Sequence, residues 1–130
     1  MSVNTMGRIR KDIEINGRNC WAMFDTGARY SYIVKEAASR SDCKPLSPPR
    51  HAALGGRSHE VANVCLVFAN IEGHQLEFQA SVIDDIGQDE DGRLIEVLVG
   101  AIAMQLWGIR LDPQNECLDF SHFTTDFVEF

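Results

Sequence analysis

Apolar and polar positions alternate along most of the chain in short runs separated by turn residues, a period of two that signals strands. R-I-R-K-D-I-E-I (Arg8–Ile15) alternates in part, Asn16-Gly17 supplies a two-residue hairpin turn, and R-N-C-W-A-M-F returns. In the returning run Cys20, Ala22 and Phe24 share one face and Trp21 and Met23 the other, which predicts a strand buried on both sides. Asp25 ends it on the Trp21 and Met23 side. S-Y-I-V (Ser31–Val34) predicts a further short strand. The following K-E-A-A-S-R-S predicts about two helical turns, ended by the prolines of S-P-P-R.

L-G-G-R (Leu54–Arg57) reads as a glycine turn between two extended arms. The second arm, H-E-V-A-N-V-C-L-V-F-A-N-I, turns back at E-G into Q-L-E-F-Q-A-S-V-I. There Gln75, Glu77 and Gln79 alternate with Leu76, Phe78 and Ala80, as in a half-buried strand. D-D-I-G-Q-D-E-D-G-R (Asp84–Arg93) is an acidic loop, expected to be solvated surface. E-V-L-V-G predicts a short buried strand, A-I-A-M-Q-L-W a helix, and G-I-R-L-D with E-C-L-D-F a last hairpin around D-P-Q-N. The tail T-T-D-F-V-E-F is expected to form one more strand, within the chain or with a partner. Many short strands with one or two short helices predict a single all-β domain over 1–130, a closed barrel.

Composition narrows the function classes. The chain is 45% apolar and 24% charged with a net charge of -7, which fits a globular protein and argues against nucleic acid or an anionic membrane as the partner. The basic run R-I-R-K is too small to form a patch. The N-terminal stretch lacks the apolar core of a signal peptide, and Val97–Met104 is too short to cross a bilayer, so a cytoplasmic protein is expected. Cysteines 20, 43, 65 and 117 form no C-x-x-C pair, which disfavours zinc, and free thiols are expected.

Other motifs fail on spacing. Aligning Gly92 with the glycine of a calcium loop puts Gly87 and Leu98 at ligand positions, so the acidic loop is not an EF-hand. Leu54-Gly55-Gly56 lacks the G-K-[ST] ending of a phosphate loop, there is no G-x-S-x-G, and the four histidines share no spacing.

What remains is D-T-G-A (Asp25–Ala28), a carboxylate at the end of an apolar strand. Burying that charge costs several kcal/mol unless it is paired or shared. Thr26 can hydrogen-bond locally, Gly27 allows close approach, and Ala28 leaves room beside it. An aspartate that caps its own turn and one kept for chemistry both fit this segment alone.

With D-T-G-A, the glycine turn, V-L-V-G (Val97–Gly100) and the closing hairpin, the chain resembles the retropepsin family of aspartic proteases. The likeness is to the single-lobed, retroviral type, over roughly Arg8–Phe120. It implies the acid-protease fold and hydrolysis of peptide or protein substrates. It implies Asp25 as catalytic aspartate, Thr26 as the hydroxyl linking two aspartate loops, and Gly27 beside them. Gly27 and Ala28 would line the substrate channel, Leu54, Gly55 and Gly56 would form the flap tip, and Leu98 would wall a specificity pocket. No metal or cofactor is implied. Retroviral members carry an acidic residue after D-T-G-A and a basic one after the late glycine, a pair that braces the dimer; here Arg29 and Ala101 stand there.

The implied chemistry uses two carboxylates sharing one proton, one acting as base on a water and the other as acid to the carbonyl. The chain holds one D-[ST]-G, so the second carboxylate would come from a second copy in a C2 homodimer. Two competitors stand beside this reading: the same fold as a non-catalytic peptide-binding or dimerisation module, and a small β-barrel in which Asp25 is only a turn cap.

Overall fold

The computed structural model describes residues 7–129. Residues 1–6 of the N-terminal stretch and residue 130 of the tail lie outside them. The first hairpin forms as the alternation predicts, β1 (Arg8–Ile15) against β2 (Arg18–Asp25). Asn16 and Gly17 both take positive φ (51° and 81°), the two-residue turn whose twist matches the strands it joins. That turn fixes the register, and the register sets Arg8 opposite Asp25.

β3 (Ser31–Val34) and one helical turn, α1 (Lys35–Ala38), follow. The helix is shorter than expected and the prolines do not end it. The Ser39 hydroxyl and the Ser41 N–H turn back onto the Glu36 and Ala38 carbonyls, and from Asp42 the chain is already a strand. Pro45, Pro48 and Pro49 lie instead within β4 (Asp42–Leu54), where the register with β5 (Arg57–Ile71) breaks between Pro45 and Arg50. β4 is an edge strand, and an edge tolerates missing donors. β5 returns through β6 (His74–Ile83), in which Leu76, Phe78 and Ala80 are buried as the alternation predicts.

β7 (Val97–Val99), wholly buried, slots between β2 and β3, parallel to the first and antiparallel to the second. The sheet runs β1-β2-β7-β3-β6-β5-β4, and β1 also pairs with β5 through Glu14 and Ile15, which closes it. Ile13, Phe24, Ile33, Val67 and Val99 fill the interior of this mainly-β, mixed sheet. α2 (Ala101–Trp107) covers one end with Ala103, Met104 and Trp107 buried, and its Trp107 indole donates to the Glu77 carbonyl at 2.8 Å. β8 (Arg110–Asp112) and β9 (Cys117–Asp119) make the last hairpin. No helix among the described residues is long and apolar enough to cross a membrane.

Three further expectations need correction. The second strand is fully buried on its Cys20, Ala22 and Phe24 face, but Trp21 and Met23 are only half-buried. That face borders a cleft and a loop rather than a second core layer. Cys43 and Cys65 are not free thiols: they face each other across β4 and β5, their Cα atoms 4.0 Å apart, and form a disulfide, while Cys20 and Cys117 are free. Strand pairing creates that proximity, and a cysteine count cannot show it. Residues 124–129 form no strand; Phe127 packs edge-on against Trp107 instead, ring centroids 5.7 Å apart.

Candidate active site

Asp25 is the last residue of β2, where the strand leaves the sheet and the chain loops back towards β3. Its side chain is 13% exposed, and each carboxylate oxygen has a partner. Oδ1 accepts the Gly27 N–H at 2.8 Å, and Oδ2 lies 3.4 Å from Nε of Arg8. Half of the carboxylate therefore does cap its own turn. The other half faces an arginine beside open space.

The loop after Asp25 is held by backbone groups. Thr26 donates its N–H to the Gly7 carbonyl at 2.9 Å, and its exposed hydroxyl lies 3.3 Å from the same oxygen. The Ala28 and Arg29 carbonyls accept the Ala101 and Ile102 N–H groups at 2.7 and 3.0 Å. These are among the first N–H groups of α2, which no earlier turn of the helix can satisfy. Arg29 and Ala101, where the charged brace is absent, thus take part in two backbone hydrogen bonds that hold the loop to α2. Gly100 makes the approach possible: a Cβ there would stand 2.2 Å from the Tyr30 carbonyl oxygen. Its N–H donates to the buried Ser31 hydroxyl at 3.0 Å.

Above this loop hangs the β4–β5 hairpin, with Leu54 paired to Arg57 and Gly55-Gly56 at its tip. Two side-chain contacts to carboxylates tie its second arm to the chain after β6. Nδ1 of the buried His59 lies 2.7 Å from Asp84, and Arg57 pairs with Asp85 at 3.0 Å. The His59 bond is the main reason that the Asp84 carboxyl is held below its usual range.

Between loop and hairpin lies a cleft of about 630 Å3. Asp25, Gly27, Ala28, Leu54, Gly55 and Leu98 all line it, so most of the residues singled out from the sequence meet at one place. Leu98 sits between Met23 of β2 and Tyr32 of β3, its partners in register, and all three form the wall. Thr26 and Gly56 do not line the cleft: Thr26 faces a hollow beside Ala101 and Gln105, and Gly56 is exposed at the tip.

Several lining residues escaped the sequence reading, among them Arg8, Arg29, Tyr30, Arg57, Ile86 and Gln88. Arg8 had a signal, because counting outward from Asn16-Gly17 places it opposite Asp25. Ile86 and Gln88 had none. They arrive on the acidic loop, whose path depends on contacts distant in sequence.

The profile of the aspartyl protease family matches residues 12–102, from β1 into α2, a span that holds every cleft-lining residue named above except Arg8. The chain belongs to the aspartyl protease family. No curated protein sequence matches it. Among solved structures, the retroviral protease-like domain of Ddi1 from Leishmania major superposes with a TM-score of 0.65 at 19% identity, over 89% of this chain and 90% of that one. The EIAV protease, in complex with the inhibitor HBY-793, gives 0.60 at 17% identity, over 86% of this chain and 99% of that one. The family member described here therefore has the retroviral protease fold, reached with few shared residues.

Proposed function

We propose that this protein is an aspartic endopeptidase that hydrolyses peptide bonds between two Asp25 carboxylates, one from each chain of a homodimer. The observation that carries the reading is the Asp25 carboxylate at the edge of an open cleft, beneath a glycine-tipped hairpin, in a chain of the aspartyl protease family. The EIAV protease, which shares the fold, holds an inhibitor in its structure, and a peptide is the occupant that suits a cleft of this size here.

In this reaction one Asp25 is ionised and takes a proton from a water molecule. The water oxygen attacks the peptide carbonyl, and the protonated Asp25 of the other chain donates to the carbonyl oxygen. Two carboxylates so close cannot both ionise, which holds a single proton between them. Collapse of the tetrahedral intermediate returns a proton to the leaving amine and breaks the C–N bond. In this reading Thr26, exposed on the loop after Asp25, meets the second chain. Gly27 and Ala28 flank the peptide, Leu98 walls its side-chain pocket, and Leu54, Gly55 and Gly56 close over it.

A peptide-cleavage assay over a dilution series tests this, run beside sedimentation of wild type and Asp25→Asn. Specific activity is expected to fall on dilution as dimers dissociate, and Asp25→Asn is expected to abolish cleavage while keeping the dimer. A monomer that keeps full activity at high dilution would refute the two-chain site. Binding of peptide without cleavage would identify the non-catalytic module instead.

A further inference from the structure

The wall of the cleft carries more positive charge than the chain as a whole. Three arginines line it, Arg8, Arg29 and Arg57, against the single carboxylate of Asp25, in a protein with a net charge of -7. Two of the three are engaged: Arg8 with Asp25 at 3.4 Å and Arg57 with Asp85 at 3.0 Å. Arg29 is exposed, and no carboxylate among the described residues lies within ion-pair distance of it. Its backbone is fixed by the hydrogen bond from Ile102, so the side chain leaves the loop from a set position. It lines both the cleft and the neighbouring hollow that Tyr30 and Ile102 also border, which puts it at the boundary between the two.

We propose that Arg29 is a specificity-determining residue that makes the cleft select peptides with a glutamate or aspartate flanking the scissile bond. The inference rests on the protease reading for the position of the scissile bond. An uncommitted guanidinium at the rim of a cleft attracts a peptide carboxylate, forks onto both its oxygens, and repels lysine or arginine at the same place. In a C2 dimer the second Arg29 stands on the other side of the scissile bond, so both flanks carry the preference.

The test uses three peptides identical except for Glu, Gln or Lys at one flanking position, at about pH 5.5, above the ordinary glutamate range. Wild type is expected to show kcat/KM for Glu over Lys of roughly fivefold, the scale of one exposed ion pair, shrinking at high salt. Arg29→Gln should bring the ratio towards one, and Arg29→Glu should invert it. Equal cleavage of all three by wild type, or an unchanged order in Arg29→Glu, overturns the proposal. Affinities of the same peptides for Asp25→Asn, by fluorescence anisotropy, separate the two readings. Glu-selective binding in a protein whose wild type never cleaves supports the role of Arg29 and refutes proteolysis. Unselective or undetectable binding refutes the role of Arg29.

Discussion

Asp89 accepts a 2.8 Å hydrogen bond from the indole nitrogen of Trp21, joining the acidic loop to the strand that ends in Asp25. The guanidinium of Arg93 lies 3.9 Å over the same indole, and the Arg93 and Asp91 N–H groups donate to the other Asp89 oxygen. Arg10 grips Glu90 with both terminal nitrogens, and Arg93 reaches Asp12. The loop is largely exposed, as its sequence reads, and these contacts also make it a clamp that carries Ile86, Gly87 and Gln88 into the cleft wall.

The clamp has a pH limit whose sign follows from Asp89. Its carboxyl is held below the ordinary 3.8, chiefly by the Arg93 N–H, with Trp21, Asp91 and Arg10 adding to the effect. A carboxyl depressed in the fold contributes stability that is present above its unfolded value and lost as pH falls through the folded one. The Trp21 indole proton is therefore expected to exchange slowly near neutrality and fast well below pH 3.8. In Asp89→Ala it should exchange fast at every pH. Hydrogen exchange followed by NMR reads this directly, and unchanged protection in the variant would show that Asp89 does not hold the loop.

Gly100→Ala tests the contact that sets the aspartate loop against α2. The added methyl meets the Tyr30 carbonyl at 2.2 Å and the Ala28 carbonyl at 2.9 Å, both backbone atoms that cannot rotate away. Overpacking of this kind costs about 1–3 kcal/mol. Because the displaced segment is the loop that follows Asp25, activity should fall by more than the lost stability explains. Urea unfolding beside kcat/KM on the remaining folded protein separates the two effects.

Leu98→Ala addresses the wall of the cleft. Leu98 is buried between Met23 and Tyr32, so truncation should cost about 2–5 kcal/mol in the folded chain. It should also enlarge the pocket, moving preference at the adjoining peptide position from a medium to a large apolar side chain. A peptide series from Val to Phe measures the shift.

Where an element is set by neighbours in sequence, the chain states it openly. Asn16-Gly17 fixes one hairpin and with it the place of Asp25; Gly55-Gly56 fixes the other; V-L-V-G names the strand that slots between β2 and β3. Features created by pairing at a distance are silent. The Cys43–Cys65 bridge needs the register of β4 on β5, including its break at Pro45–Arg50, before the two thiols are seen to meet. The tail alternates enough to suggest a strand, yet Phe127 packs against Trp107, as does Phe123 just before the tail, and residues 124–129 join no ladder. The positive cleft is hidden for the same reason, since Arg8, Arg29 and Arg57 come together only when three separate segments converge.

The last prediction concerns the flap tip. Gly55 and Gly56 hold φ of 56° and 80°, and a Cβ at either would meet no atom within 4 Å. Substitution there is opposed by backbone conformation alone, about 1–2 kcal/mol per residue for a left-handed position. Valine, branched at Cβ, suits that region least, whereas asparagine enters it readily. The double change to valine is expected to leave the barrel folded, because the turn is exposed and stands clear of the core. It should distort the hairpin whose Leu54 and Gly55 line the cleft, lowering kcat/KM roughly tenfold, about 1.4 kcal/mol in the transition state. The double change to asparagine should stay near wild type in both respects. Equal rates for the valine and asparagine proteins would mean that Leu54–Arg57 is an ordinary hairpin end with no part in turnover.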